Sequence, residues 1–373
     1  MILQVKELKE ASIKILAAVD NGGIMDKIKD TLEIVTVGNT LQLNITNKEY
    51  YVRVKLPVTE SEPFRALVDA KLFLTLVSKI TTDTLELSTN QVSLIVKANG
   101  TYKLPFIYDG NSVITVPEIT IDNPTMDFLI SADTLNSIAT INSKDLNIAN
   151  AKKDFQRFYY VDEQGCFTAS FGACVNQFTL PQKVVMTLSD KVVKLFKLFK
   201  DGEVKFTLGY DAYGTSMLTK VKFENDDIEI TNITPTNDTI LESFRKPVES
   251  IRAKISSVYD YTVTINKTDL VEALARLLLC NYAIGGFEKD FGVLKFVNDG
   301  VIIETPDSNN KELVPYVSLK LDGEYKTMID IKQLKTTLEA CNEELLTFSF
   351  GNKKGILLTR GLICNLLPEA NIE

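Results

Sequence analysis

Apolar and polar residues alternate along most of this chain, and short segments with apolar residues every three to four positions interrupt the alternation. The segments LEIVTV, LQLNIT, YYVRVKL, SLIVKA, VKFTL, KVKFE, IEITNI, VLKFV, VIIET, VSLKL and ILLT predict strands. Turns are expected between them at Gly38-Asn39, Asn99-Gly100, Asp109-Gly110, Asn298-Asp299-Gly300 and Asp322-Gly323. Six segments carry a helical stripe instead, near 6–19, 70–80, 132–144, 190–200, 267–281 and 331–341. N-caps are expected at Ser131 or Asp133, at Ser189 or Asp190, and at Asp330. Pro and Asp cluster at 116–125, marking one boundary. The polar stretch from Thr234 to about Ser257, with Pro235 and Pro247, marks the other.

The pattern repeats. LVDAKLFLTLVSKITTDTLEL from Leu67, MTLSDKVVKLFKLFKDGEVKF from Met186 and MIDIKQLKTTLEACNEELLTF from Met328 each read strand, helix, strand. Lys71, Lys191 and Lys332 correspond, as do Leu85, Val204 and Leu345. A second element precedes each copy, near Ile2, Phe128 and Val263, with Leu8, Leu135 and Leu270 in register. Repeats this long are whole domains rather than solenoid turns. Three similar α+β domains are therefore expected, over 1–122, 123–250 and 251–373. Each should hold two helices packed on antiparallel sheets.

Composition narrows the chemistry. The 373 residues include no histidine, which removes the commonest general base and metal ligand. There is no phosphate-binding glycine loop; GNKKG at 351–355 reads as a hairpin turn between TFSF and ILLT. No cofactor, metal or catalytic residue is expected, and the chain reads as a non-enzyme. The five cysteines form no C-x-x-C pair, no apolar run is long enough to span a membrane, and the first turns mix both charges. A reduced cytoplasmic setting is the expectation.

Net charge is −8, but it is unevenly spread. The six predicted helices hold 14 basic and, counting Asp145 at an edge, 8 acidic residues, so the strands and loops are strongly negative. Lys191, Lys194, Lys197 and Lys200 recur every third residue, and Lys71, Lys79, Lys332 and Lys335 occupy the equivalent helices. A positive helical layer backed by negative strands suits non-specific contact with DNA phosphates.

The repeated order of elements resembles the bacterial β sliding clamp, the processivity subunit of the replicative DNA polymerase. The resemblance spans the whole chain. Its most specific part is FRALVDAKLFLTLVSKITTDTLELSTNQVSLIVKANGTYKLPF; VPEI at 116–119, QGCFTASFGACVNQFTL and the final LICNLLPEANIE are similar to further family segments. The resemblance implies a head-to-tail homodimeric ring of six domains around duplex DNA, lined by helices and bound by a polymerase and a clamp loader. It places the eight lysines on the DNA. It places a pocket for a short apolar partner peptide at Ser170, Gly172, Ala173, Cys174, Val175, Leu366, Leu367 and Pro368, and the dimer contact at Leu104 and Phe106 facing Leu278 and Leu279. Cys174 stands where the family has Arg and Phe171 where it has Asp, and Glu369–Glu373 run past the family's usual end. These departures fit a divergent member, such as one carried by a phage or mobile element.

Three other readings compete. A β-rich structural protein, for instance of a virus particle, shares the strands and the acidity but does not predict lysines at matching helical positions. A glycosidase would need a carboxylate pair, and none stands out among 49 acidic residues in a chain without Trp. A clamp-like scaffold that binds partners without being loaded on DNA would suit the nearly neutral helix 267–281.

Overall fold

A computed structural model describes residues 1–19, 28, 31–47, 49–58, 63–141, 158–169, 173–213, 216–235, 238–281, 290–320, 323–339, 343–351, 355–360 and 363–367. Among the described residues it contains twenty-six strands and seven helices. The helices are α1 (Val5–Ala18), α2 (Ala70–Lys79), α3 (Ala132–Ile141), α4 (Asp190–Leu195), α5 (Asp238–Ile255), α6 (Lys267–Asn281) and α7 (Ile331–Glu339). Strands occupy all eleven segments expected to form them, with Leu321 of VSLKL outside the described residues.

The internal repeat is visible residue by residue. Six helices follow directly on a strand, with no residue between. So abrupt an entry leaves the first helical N–H groups without partners unless the last strand residue caps them. Asp69 Oδ1 accepts from Leu72 N (2.7 Å), Ser131 Oγ from Thr134 N (3.2 Å), Asn266 Oδ1 from Asp269 N (3.3 Å) and Asp330 Oδ1 from Gln333 N (2.7 Å). Leu8, Leu135 and Leu270 are each the fourth residue of their helix and are buried. Lys71, Lys191 and Lys332 are each the second residue of theirs.

Two compact units divide the chain: Met1–Asn136 with Lys191–Thr236, and Ser137–Asp190 with Asn237–Glu373. The first holds an eight-stranded sheet in which Tyr50–Pro57 pairs with Ile228–Pro235. The second holds a twelve-stranded sheet in which Ala173–Gln177 pairs with Ile363–Leu367. Sheets therefore run from one repeat into the next.

The seventh helix, α5, corrects the sequence reading, which took 234–257 as a polar boundary. Ile240, Phe244, Val248, Ile251 and Ile255 form a helical stripe and pack in one apolar cluster. Pro247 masked it: an interior proline removes one hydrogen bond and crowds the preceding turn, yet burial of the stripe outweighs that cost. The helix also runs across position 250. Another difference concerns 190–200, expected as one helix. It is α4 followed by a 3₁₀ turn at Phe196–Leu198.

In the first unit, Arg53 joins three segments. Its guanidinium contacts Glu229 on the neighbouring strand (3.1 Å), Glu118 on the connector after the first four-stranded sheet (2.7 Å) and the Tyr51 hydroxyl (2.8 Å). The connector's Ile114 and Val116 bury over Tyr51 and Leu67. A Cβ on Gly209 would collide with Ile121 at the connector's far end, so glycine is needed there. Glu229 is 6% exposed, and burial raises its carboxyl above the usual range. Replacing Arg53 with Ala strands that carboxylate, and the expected loss is about 3 kcal/mol. Lys97→Ala, which opens an exposed pair with Glu86, should lose under about 1 kcal/mol. Urea unfolding of both variants checks this; equal losses would refute the joining role of Arg53.

Candidate functional site

The predicted basic residues divide by what their charges do. On α4 and the 3₁₀ turn, Phe196 and Phe199 are fully buried, and Phe196 meets Phe223 edge-on with ring centroids 4.6 Å apart. A helix that tightens to three residues per turn eclipses positions three apart. The two Phe rings thus point inward together, while Lys194, Lys197 and Lys200 are exposed. The period-three spacing that looked like a drifting stripe is therefore suited to the local geometry. Lys71 and Lys79 are exposed on α2. Among the described residues, Lys71, Lys79, Lys197 and Lys200 form no ion pair.

The other four lysines are engaged, Lys194 among them. Lys191 Nζ donates to the Val19 carbonyl at 3.2 Å. In the second unit, Lys332 pairs with Asp290 (3.2 Å) and Lys335 with Glu339 (2.5 Å). α6 is similar: Arg276 makes a two-pronged contact with Glu312, and Lys267 pairs with Glu344. The most available positive charge among the predicted lysines lies on α2 and on the α4 segment.

The predicted partner pocket is brought together in part. Ala173 is opposite Leu366 and Val175 opposite Cys364 in adjacent strands. Ser170, Gly172 and Pro368, with Phe171, lie outside the described residues. Val175 and Leu366 share a buried cluster with Phe167, Phe244 and Val248; Tyr160, Ile240, Ile251 and Ile255 are half-buried around it. Tyr160 stacks on Phe244 at 5.4 Å. Leu367, the next residue along, turns to the opposite face and joins the core of the third repeat. The sequence reading missed the contribution of α5 to this surface because it missed the helix. Beside Val175 a cavity of about 480 Å³ opens between Gln177–Thr179 and the last turn of α5. Arg252 reaches its wall and pairs with Asp162 at 2.7 Å.

The four predicted dimer residues differ in exposure. Leu104 is 3% exposed and sits opposite Leu94 within its own sheet. Phe106 and Leu278 are half-buried, and Leu278 packs against its unit's core. Leu279 is 78% exposed. Two features were not anticipated. Thr101–Pro105 is the edge strand of a four-stranded sheet. Lys311–Lys320 pairs with Gly300–Glu304 through its first half and with Tyr261–Asn266 through its second, so one edge of 311–315 is unpaired among the described residues. Leu313, on that free stretch, is 54% exposed. Free edges invite pairing with another strand.

No cluster of acidic or cysteine side chains among the described residues could hold a metal ion, and no helix is long and apolar enough to cross a membrane.

No protein-family model matches the chain, and no curated protein matches it in sequence. Solved structures do match in shape. The DNA polymerase III subunit beta from Pseudomonas aeruginosa superposes with a TM-score of 0.79 at 14% identity, over 100% of both chains. The DNA polymerase sliding clamp from Bacillus subtilis gives 0.78 at 14% identity, covering 100% of this chain and 99% of its own. The DNA polymerase III beta subunit from Thermotoga maritima gives 0.75 at 13% identity, with the same coverage. Over its full length, this chain has the fold of the bacterial DNA polymerase III beta sliding clamps, carried by a widely divergent sequence.

Proposed function

We propose that this chain is a DNA sliding clamp. Three similar domains, the first over 1–122 and the other two meeting around α5, pair head to tail with those of a second copy to close a ring around duplex DNA. The ring tethers a replicative polymerase, is placed on DNA by a clamp loader, works in the cytoplasm and does no chemistry itself. The observation that carries this reading is the full-length likeness of fold to sliding clamps. Exposed lysines on α2 and the α4 segment support it, because loose contact with phosphates holds a duplex without choosing bases.

Topology supplies the test. Protein loaded on nicked circular DNA should stay bound after dilution and should be lost within the sliding time once the circle is cut. Equal retention on cut and uncut circles would refute encirclement. A structural protein or a scaffold that is never loaded gives no such difference.

Partner binding is assigned to the apolar surface around Val175 and Leu366, rimmed by Ile240, Ile251 and Ile255. One or two large side chains of a partner peptide would anchor there, and such anchors carry most of a contact's free energy. The divergent residues Phe171 and Cys174 point to a peptide preference different from the family's usual one. Ile240→Asp, at a half-buried rim position, should weaken a polymerase-derived peptide by at least about tenfold, measured by fluorescence anisotropy. Unchanged affinity with unchanged unfolding would move the partner site elsewhere.

A further inference from the structure

The surface assigned to partners is covered by a helix of the chain itself. Val175 is 3% exposed and Leu366 7% exposed, and Phe244 and Val248 of α5 are buried in one cluster with them. A partner's large side chains need a desolvated pocket, and here α5 fills it. The two halves of α5 are held differently. In the first half, Phe244 is fully buried and stacks on Tyr160 at 5.4 Å. In the second, Ile251 and Ile255 are only half-buried, and the cavity of about 480 Å³, with Ile255 and Val175 in its wall, opens at the last turn. Pro247 separates the halves. It has no N–H to give the Ser243 carbonyl, and its ring crowds that carbonyl, so the helix is weakest at this point.

We infer that the second half of α5, from Val248 to Ile255, is a hinged lid over the partner groove. It swings on Pro247 and is latched by Arg252 on Asp162. The inference rests on the partner reading of this surface and names its regulation. The latch ties the lid to the sheet: Arg252 Nη2 donates to Asp162 Oδ1 at 2.7 Å, and Asp162 ends the strand Phe158–Asp162. The Asp162 side chain is 7% exposed, so the pair is shielded from water on that side. The Gln164 N–H donates to the same oxygen at 2.9 Å, so the carboxylate keeps a partner when Arg252 leaves. Ser256 and Ser257 donate back to the Arg252 and Lys254 carbonyls, so the turn after the lid moves with it. Opening uncovers Val175 while Phe244 and the Ile240 rim stay in place. The partner's anchors then take the positions of Val248 and Ile255. Closed, the lid keeps this apolar surface from water when no partner is bound.

Two substitutions push the lid in opposite directions. Arg252→Gln releases the latch, and Pro247→Ala restores the missing hydrogen bond and stiffens the hinge. In the full chain, methyl relaxation dispersion should report exchange at Val248, Ile251 and Ile255 and not at Ile240. The open population should rise in Arg252→Gln and fall in Pro247→Ala. Apparent affinity scales with the open fraction. A fluorescein-labelled peptide, Gly-Ser-Leu-Ser-Phe-Gly, should therefore bind Arg252→Gln about tenfold more tightly than wild type and Pro247→Ala about tenfold more weakly. Were Arg252 merely part of the rim, its loss would weaken binding or leave it unchanged. Pro247→Ala replaces a helix breaker with the best helix former, so it keeps the test decisive even where Arg252→Gln fails to fold. Absence of exchange at the three lid residues of the wild type, or shifts of both variants in the same direction, would overturn the lid. The expected exchange with no peptide bound by any of the three proteins would keep the lid and refute the partner assignment.

Discussion

Replacing Leu279 and Leu313 with Asp should convert a dimer of twice 41.6 kDa into a monomer of 41.6 kDa with unaltered strand content. Leu279, named from the family resemblance, and Leu313, on the free edge, make a cleaner test than Leu104. Leu104 is almost fully buried within its own sheet, so a charge there would damage the fold whatever the assembly. Leu279 and Leu313 are 78% and 54% exposed in the single chain, so Asp at either costs the isolated fold little. In the proposed dimer both are covered. The edge strand Thr101–Pro105 of one copy would lie along the unpaired stretch 311–315 of the next, adding a ladder of backbone hydrogen bonds. Two buried carboxylates per contact, with two contacts per ring, should shift dissociation by well over about a hundredfold. Light scattering at micromolar concentration reads the result. A wild-type chain that is already monomeric there would refute the closed dimer, and a variant that stays dimeric would move the interface.

Much of the fold was legible because short-range chemistry dictates it. Alternation placed the strands, and Asp69, Ser131, Asn266 and Asp330 stop a strand and start a helix within one residue. Recurrence then turned local signals into architecture, since Leu8, Leu135 and Leu270 sit at one helical position three times. What stayed hidden depends on partners distant in sequence. The α5 stripe was outvoted by Pro247, and its compensation comes from Phe167, Val175 and Leu366 on other elements. The free edge at 311–315 exists because one strand changes partners midway, near the register shift between Thr264 and Ile265. The lysines were legible as residue types but not as charges. Asp290, which pairs with Lys332, is far from it in sequence and gave no local sign of the contact.

That inequality among lysines leads to the second large effect. Lys194→Glu with Lys197→Glu should sharply shorten retention on nicked circular DNA, whereas Lys332→Glu with Lys335→Glu should do much less. Lys194 in the last turn of α4 and Lys197 on the 3₁₀ turn are both exposed, and Lys197 forms no ion pair among the described residues. The second pair already faces Asp290 and Glu339, so its charges are partly spent before DNA arrives. Each phosphate contact removed lowers the magnitude of the log–log salt slope by about 0.9 for duplex DNA. Two lost contacts in each of two copies therefore predict a slope smaller by about 3.6, with no change in sequence preference. Stability should change by under about 0.5 kcal/mol, because exposed charges are substituted on a turn whose buried anchors, Phe196 and Phe199, remain. The measurement is the half-life of loaded protein across a salt series for wild type and both double variants. Identical slopes for wild type and the Lys194/Lys197 variant would show that this turn does not touch DNA. Equal effects of the two double variants would show instead that the ion pairs on α7 open freely when a phosphate is near.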